Sequence, residues 1–247
     1  MSGHSKWATT KRKKARIDSA RAKIFNRIIR EVTVAAKLGG SDQEANPRLR
    51  TAILKAKAVN MPAKNIETAV AKGANELEAV TYSEPTYEGY GPGGISIMVD
   101  CMTDNKTRTV AAIRHIFSKY GGNLGTAGSV AWMFKTKGVI LLPKDSIPEE
   151  DLMDLVLESG AEDMEVVNED YEITMEPENF QTVMEALSSK NLETSSAEIT
   201  KISDTKTKVT GETVGKALKL LDMLDENDDV QNVSTNAEFD EVDLDNS

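Results

Sequence analysis

The amino-acid sequence predicts a multidomain α+β fold, in which an N-terminal three-helix bundle is followed by two ferredoxin-like α/β domains, the second inserted into the first. Residues 1–75 carry apolar side chains at helical spacing, whereas residues 95–236 alternate strand-like and helix-like segments. A chain of 247 residues is long enough for two or three small domains. The predicted units are a basic helical domain (1–75), a linker (76–94), a discontinuous α/β domain (95–136 and 203–236), an inserted α/β domain (137–202) and an acidic tail (237–247).

Three helices are predicted in the first unit from their apolar spacing and their end signals. The first ends at the glycine pair 39–40. The second has Asn46 as its N-cap and Pro47 at its first helical position, and the third begins at Pro62 and ends at Gly73. The apolar positions of the first helix are Ile24, Phe25, Ile28, Ile29, Val32 and Ala35.

Strands and helices in residues 138–202 follow the order strand, helix, strand, strand, helix, strand, which is that of a ferredoxin-like unit. The flanking segments each contain strand, helix, strand, so together they predict a second such unit around the first. This nested arrangement is favoured because each half alone would leave an apolar sheet face uncovered. Three separate α+β pieces or one continuous sheet are the alternatives. The tail "EFDEVDLDNS" is predicted to be disordered.

Composition argues against several classes of site. The single cysteine, Cys101, cannot form an internal disulfide, and His4 and His115 are too few for a zinc cluster, so no metal or other cofactor is predicted. The sequence contains no stretch of eighteen apolar residues and no apolar signal segment. We therefore expect neither secretion nor membrane insertion, and a cytoplasmic location.

The charges are distributed unequally along the chain. Residues 1–75 contain 17 Lys and Arg against 5 Asp and Glu, a net charge of +12, whereas residues 76–247 contain 13 against 35, a net charge of −22. The whole chain is therefore acidic, at −10. A basic module joined to an acidic body indicates a polyanionic partner, because binding responds to the local potential.

The basic N-terminal segment predicts contacts with a nucleic-acid backbone. Four basic residues from Arg16 to Arg30 are spaced 7, 4 and 3 apart, so they share one helix face about 21 Å long. Trp7 is suited to stacking on an exposed base. A solvated helix face with a flexible arm is the alternative, and a membrane-surface helix is disfavoured because the bundle needs the apolar face. The candidate nucleic-acid-binding residues are Lys6, Trp7, Lys11, Arg12, Lys13, Lys14, Arg16, Arg21, Lys23, Arg27 and Arg30.

Motifs that identify a base sequence are missing from the chain. It has no zinc-finger spacing, no basic zipper and no aromatic ribonucleoprotein signature. The prediction is therefore backbone recognition without base readout.

Two glycine clusters resemble phosphate-binding loops but stand in the wrong context. "YEGYGPGG" precedes a strand and "GGNLGTAGS" follows a helix, whereas a phosphate loop leads from a strand into a helix. "GETVGKA" has three residues between its glycines instead of four, and Ala217 where a metal-binding Ser or Thr is needed. The two glycine clusters predict tight turns, and no small-molecule substrate is expected. Tyr87 and Tyr90, beside flexible glycines, form a candidate loop for contact with a partner.

The sequence supplies no convincing catalytic residue. His115 lies on a predicted helix without a nucleophile nearby in sequence. Asp100 and Asp104 flank a strand end, but capping of the helix that starts at residue 105 explains Asp104 more simply. Cys101 lies in an apolar strand, where cysteine usually packs as a small hydrophobic residue. We therefore predict a non-enzymatic protein.

Specific motifs run through nearly the whole chain: "GHSKW" at 3–7, "NPRLRTAI" at 46–53, "KAKAVNMP" at 55–62, "YEGYGPGG" at 87–94 and "GGNLGTAGSVAWMF" at 121–134. In this combination the chain resembles the YebC family of bacterial probable transcriptional regulators, which also includes a mitochondrial translational activator. The arm departs from the family pattern, because Thr10 and Arg12 replace an Ile and a His, and Ala22 stands where Gly is common.

The resemblance implies three domains around a cleft and nucleic-acid binding without enzymatic activity. Two hypotheses follow from it. The first is a DNA-binding transcriptional regulator that grips the phosphate backbone through residues 1–75. The second is a ribosome-associated translation factor in which the same segment binds ribosomal RNA. A hydrolase or protein-binding adaptor that uses the interdomain cleft is the third alternative.

Overall fold

The computed structural model describes residues 18–74 and 81–239, with side chains from Ala22 onward. Within these ranges the chain forms a mixed α/β structure with two four-stranded antiparallel sheets and one two-stranded parallel sheet, which agrees with the predicted multidomain α+β class. The helices are α1 (Asp18–Gly39), α2 (Pro47–Ala58), α3 (Ala63–Ala74), α4 (Lys106–Lys119), α5 (Glu149–Glu158), α6 (Phe180–Ser189) and α7 (Glu212–Asp225). The strands are β1 (Thr86–Tyr90), β2 (Ser96–Cys101), β3 (Asn123–Leu124), β4 (Phe134–Pro143), β5 (Asp163–Val167), β6 (Asp170–Met175), β7 (Ser196–Ser203), β8 (Thr207–Val209), β9 (Val230–Thr235) and β10 (Ala237–Phe239).

Helices α1, α2 and α3 form the predicted N-terminal bundle. Asn46 caps α2 by accepting a hydrogen bond from the Leu49 amide at 3.1 Å, and its own side-chain amide donates to the Ala35 carbonyl at 2.8 Å. One side chain therefore fixes both the start of α2 and the end of α1. Gly73 lets α3 approach α1 closely, because a Cβ atom there would lie inside van der Waals contact of the Thr33 carbonyl oxygen. The apolar core of the bundle includes Val32, Ala36, Leu49, Ile53 and Ile66.

The first sheet has the order β3-β1-β2-β9, and helices α4 and α7 cover one of its faces. Strand β1 lies inside the predicted linker, so the prediction of a connector throughout 76–94 is wrong for Thr86–Tyr90. Tyr87 packs against the core, and Gly89 permits the ring of Phe117 to pack directly on the strand, because a Cβ atom would lie 2.6 Å from its Cε1. The glycines and prolines of this segment therefore led to the prediction of a connector where a strand forms.

Two further segments of this domain differ from the prediction. The expected strand "SVAWMF" forms a single 3-10 turn at Ala131–Met133. Strand β8 forms near the expected place but lies outside the first sheet, where it pairs in parallel with β10. Residues 237–239 of the predicted disordered tail thus form a strand, with Phe239 buried against the core, and residues 240–247 lie outside the described ranges. The ferredoxin-like prediction for this domain therefore assigned the wrong strands.

The second sheet has the order β5-β6-β4-β7, with all neighbours antiparallel. Its strands and helices follow one another along the chain in the predicted order. The spatial order of its four strands is also that of a ferredoxin-like unit. Side chains of α5 and α6, including Leu152, Val156 and Leu187, cover one face. Strand β4 begins at Phe134, opposite Ser203 of β7, so the chain enters and leaves this sheet on neighbouring strands. The exact domain boundaries stay a prediction.

Polar contacts connect the two sheets. Asn232 of β9 donates to the Thr200 hydroxyl of β7 at 2.8 Å, and Lys201 forms an ion pair with Asp100 of β2. In the described parts of the chain, no helix has the length and apolar character needed to cross a bilayer.

Candidate nucleic-acid interface

The basic segment predicted to bind nucleic acid lies partly outside the described structure. Seven candidates fall in residues 1–17, for which no structure is described, and Arg21 lies on α1 without a described side chain. Three candidates have described side chains: Lys23, Arg27 and Arg30. The seven undescribed candidates are Lys6, Trp7, Lys11, Arg12, Lys13, Lys14 and Arg16.

Arg27 and Arg30 connect α1 to the first α/β domain. Arg27 places Nη1 3.0 Å from Oδ1 of Asp225, and its Nη2 donates to the carbonyl oxygen of the same residue. Asp225 is the last residue of α7, so Arg27 also meets the negative end of the helix dipole. Arg30 donates to the Asp228 carbonyl at 2.6 Å and lies 3.4 Å from the Asp229 carboxylate. These two guanidinium groups therefore have partners within the chain, and their predicted role as phosphate contacts stays a prediction.

The contacts of Arg27 and Arg30 with residues 225–229 are called here the junction. Asp229 lies at its centre and is only 7% exposed. Its Oδ2 accepts hydrogen bonds from Arg108 at 2.9 Å and from the Thr109 hydroxyl at 2.8 Å. Burial opposes ionisation of the carboxyl group, but these two hydrogen bonds and the nearby charge of Arg30 outweigh it and lower the pKa of Asp229. The junction therefore contains an ionised aspartate held by groups from α1 and α4.

Lys23 lies one helical turn before Arg27 and is half-buried. Burial lowers the pKa of its ammonium group, and the positive charge of Arg27 lowers it further. The acidic residues around the end of α7 partly compensate. Lys23 thus borders the junction.

Exposed lysines remain on the outer parts of the helical domain. Lys57 and Lys64 flank the turn between α2 and α3, and Lys72 lies in the last turn of α3. All three are exposed, and none forms an ion pair with a residue in the described ranges. Arg48, in contrast, is neutralised by Glu31 and Glu84, at 2.7 and 2.5 Å. The three lysines are therefore available to an external anion.

A second candidate surface is built around the buried carboxylate of Glu88 on β1. Its oxygens accept hydrogen bonds from the amides of Gly128, Val130 and Ala131 at 2.7, 2.8 and 2.8 Å. Burial alone would raise the pKa of Glu88, but the backbone hydrogen bonds outweigh it and lower that pKa. An ionised carboxylate therefore holds the loop between β3 and β4 in place.

This loop carries Trp132, whose side chain is 73% exposed. The Trp132 indole nitrogen and the Tyr90 hydroxyl both donate to the Ser129 carbonyl, at 3.2 and 3.0 Å. Tyr90 was predicted in a contact loop with Tyr87, but both lie in β1, and Tyr87 packs against the core on the opposite side. The sequence prediction missed Trp132 because "SVAWMF" has the apolar character of a buried strand.

Two family models together match nearly the whole chain. One, described as the "TACO1/YebC protein N-terminal domain", matches residues 5–76. The other, described as the "TACO1/YebC second and third domain", matches residues 82–237. The chain belongs to the TACO1/YebC family. The predicted resemblance is confirmed, and the Arg27–Asp225 contact joins the two matched regions.

Relatives of similar length support the TACO1/YebC assignment. A "probable transcriptional regulatory protein" of Treponema denticola is 51% identical over 241 residues and covers 98% of each chain. A protein of the same description from Carboxydothermus hydrogenoformans is 50% identical over 242 residues, covering 97% of this chain and 99% of the relative. The crystal structure of the conserved hypothetical protein Aq1575 from Aquifex aeolicus superposes with a TM-score of 0.84 at 45% identity, covering 91% of this chain and 93% of that one.

Groups considered for catalysis have structural contacts in this TACO1/YebC protein. Burial, together with the nearby Asp100, raises the pKa of the Cys101 thiol to about 12. Asp100 accepts a hydrogen bond from Thr86, and Asp104 pairs with Arg108 at 2.8 Å. Asn105 caps α4, which corrects the prediction that Asp104 does so. Among the described residues, no group of three or more His, Cys, Asp or Glu is arranged to hold a metal ion.

Proposed function

We propose that this TACO1/YebC protein is a non-enzymatic regulator of gene expression that acts in the cytoplasm by binding nucleic acid through its basic N-terminal region. The leading candidate is a DNA-binding transcriptional regulatory protein, as the names of its relatives suggest for those proteins. The observation that carries the proposal is the contrast between a +12 segment and a −22 remainder. The exposed Lys57, Lys64 and Lys72 extend that basic surface onto the described bundle.

In this proposal the basic side chains contact the phosphate backbone of the nucleic acid. Each lysine or arginine that neutralises a phosphate releases a condensed counterion, which gives affinity that depends on salt and not on base sequence. The acidic domains repel the nucleic acid and so confine it to the basic end. The proposed contact residues are Lys6, Trp7, Lys11, Arg12, Lys13, Lys14, Arg16, Arg21, Lys23, Lys57, Lys64 and Lys72.

A ribosome-associated translation factor that binds ribosomal RNA is the second candidate. Exposed Trp132 beside Tyr90 favours it, because aromatic rings on a protein surface are suited to unpaired bases, which RNA presents in loops and bulges.

A salt titration tests the proposed contacts with the phosphate backbone. Replacing Lys11, Arg12, Lys13 and Lys14 with Ala should weaken binding to duplex DNA and reduce the slope of log affinity against log salt by about 0.9 for each lost phosphate contact. The matched control replaces four exposed lysines of the acidic domains, Lys190, Lys206, Lys216 and Lys219, and changes the net charge equally. An identical effect of both variants would show that net charge matters and the N-terminal segment does not, and would overturn the proposal.

Crosslinking in cells separates the two candidates. The nucleic acid attached to the native protein is sequenced and compared with that attached to the four-alanine variant. Enrichment of promoter DNA that depends on the four basic residues supports the transcriptional regulator, and enrichment of ribosomal RNA supports the translation factor. Equal recovery with both proteins would contradict binding through the basic segment.

A further inference from the structure

The segment that ends α7 and leads into β9 is strongly acidic and lies against the basic face of α1. Residues 222–229 contain five Asp and Glu and no Lys or Arg. Arg27 and Arg30 contact the carboxylates of Asp225 and Asp229 and two main-chain carbonyls of the same segment. The negative end of the α7 dipole adds to this potential. The junction therefore presents a series of anionic oxygens to α1, as a nucleic-acid backbone would.

The junction leaves hydrogen-bonding capacity of the two arginines unused. Nε of Arg27 is buried and has no hydrogen-bond acceptor in the described parts of the chain. Arg30 lies 3.4 Å from both the Met102 carbonyl and the Asp229 carboxylate, beyond the usual range for such a bond. A phosphate group accepts two parallel hydrogen bonds from one guanidinium group. Both arginines would therefore gain hydrogen bonds if a phosphate replaced the acidic segment.

Opening of the junction does not require exposure of an apolar core. The core of the bundle and that of the first α/β domain share no side chain among those described. Arg48 and Lys37 of the bundle contact Glu84 and Thr81, which precede β1 and so stay near the bundle along the chain. Separation of α1 from α7 would therefore break the polar contacts of the junction and leave both cores intact, and polar interfaces of this kind permit domain motion.

We propose that residues 222–229 cover the basic face of α1 in the free protein and that the phosphate backbone of duplex DNA displaces them, so that Arg27 and Arg30 become phosphate contacts. The proposal rests on the proposed function and specifies how that binding is regulated. DNA releases condensed counterions when it binds the two arginines, which favours the exchange. Because only open molecules make these contacts, the closed fraction lowers the apparent affinity. The junction therefore selects densely charged polyanions over isolated anions.

Asp225→Asn tests the competition. The substitution removes the charge that holds Arg27, so the affinity for duplex DNA should rise at least about 5-fold, the lower end of the usual coupling between two sites. Glu226→Gln is the matched control, because it removes the same charge at the next residue, whose exposed side chain forms no ion pair within the described residues. An equal gain in both variants would reflect net charge alone and would overturn the proposal.

The arginines themselves provide a second test. Replacing Arg27 and Arg30 together with Ala should reduce the slope of log affinity against log salt by about 0.9 for each lost phosphate contact. In this background Asp225→Asn should no longer raise the affinity, because residues 222–229 no longer cover an arginine. Melting curves verify that each variant is folded at the temperature of the titration. An unchanged slope, or a gain that persists without the arginines, would overturn the proposal.

Spin labels measure the opening directly. Asn26→Cys on α1 and Lys219→Cys on α7 place labels at two exposed positions, whereas the native Cys101 is buried. Duplex DNA should lengthen the distance between the labels, and an unchanged distance with DNA bound would overturn the release of α1. Failure of the parent to bind duplex DNA would overturn this inference and the proposed DNA-binding function together. Binding that is insensitive to the junction variants would overturn this inference alone.

Discussion

Arg27 and Asp225 lie 198 residues apart in the sequence, yet the Arg27 guanidinium binds both the carboxylate and the main-chain carbonyl of Asp225. This contact joins the N-terminal bundle to the C-terminal end of α7. Arg30 adds the carbonyl of Asp228 and the carboxylate of Asp229. Part of the basic face of α1 is therefore bound to acidic side chains and carbonyl groups at and just after the end of α7.

Replacing Arg27 tests how strongly this junction holds the domains together. Arg27→Ala should lower the free energy of unfolding by about 1.5–3 kcal/mol, because hydrogen bonds to a charged group are lost from a site only 15% exposed. Urea unfolding measures the change. Arg114→Ala, on the exposed face of α4, should change stability by less than about 0.5 kcal/mol. Equal effects of the two substitutions would contradict a specific junction.

Acidification should weaken the junction through Asp229. Its folded-state pKa is lowered from the ordinary 3.8, so its contribution is fully present above that value and is lost as the pH falls through the folded-state pKa. Asp229→Asn should therefore be destabilised relative to the parent at neutral pH, and the difference should shrink below about pH 4. Unfolding free energies measured from neutral to acid pH provide the check. Asp145→Asn, at an exposed site, should show no such narrowing, and a constant difference for Asp229→Asn would refute the linkage.

Glu88→Gln should loosen the loop that carries Trp132. The neutral amide has one acceptor oxygen where the carboxylate has two, so it cannot satisfy the amides of Gly128, Val130 and Ala131 equally well. Hydrogen exchange at these three amides should accelerate, with a loss of about 1–3 kcal/mol in local stability. Glu193→Gln, at an exposed position, should leave the exchange rates unchanged. Unaltered protection in Glu88→Gln would mean that the carboxylate does not hold the loop.

Two helical glycines should respond in opposite directions to alanine. A Cβ at Gly73 would collide with the Thr33 carbonyl, so Gly73→Ala should destabilise the bundle by about 1–3 kcal/mol. Nothing lies within 4 Å of a Cβ at Gly215, so Gly215→Ala in α7 should stabilise by about 0.5–1 kcal/mol. Thermal unfolding of both variants measures the difference. The same sign in both would show that α1 and α3 do not pack as described.

Local signals in the sequence predicted the helices well. Asn46 and Pro47 determine the start of α2 by contacts within one turn, and Gly39 ends α1, so short-range patterns were sufficient there. Strand β1 was missed because Gly89 has no apolar side chain that would indicate a buried strand. A glycine is needed there because Phe117, which is distant in the sequence, packs directly on the strand.

The candidate site was harder to predict because its partners are distant in sequence. Spacing placed Arg27 and Arg30 on a common helix face, but it gave no indication that residues 225–229 would neutralise them. The exposure of Trp132 depends on the burial of Val130 and on the hydrogen bond from the Val130 amide to Glu88, which lies 42 residues before Val130. Charge asymmetry, in contrast, is a property of composition and needed no structure.

The position of β9 determines the order in which the protein can fold during its synthesis. β9 is a neighbour of β2 in the first sheet, but it follows the whole second sheet along the chain. When β1 to β3 leave the ribosome, their sheet lacks an outer strand, and the core residues Leu220 and Leu221 of α7 have not yet been made. Residues 134–203 already contain every strand of their own sheet. We therefore expect the inserted unit (residues 134–203) to fold first. The surrounding unit should complete its sheet last, when the final strands emerge.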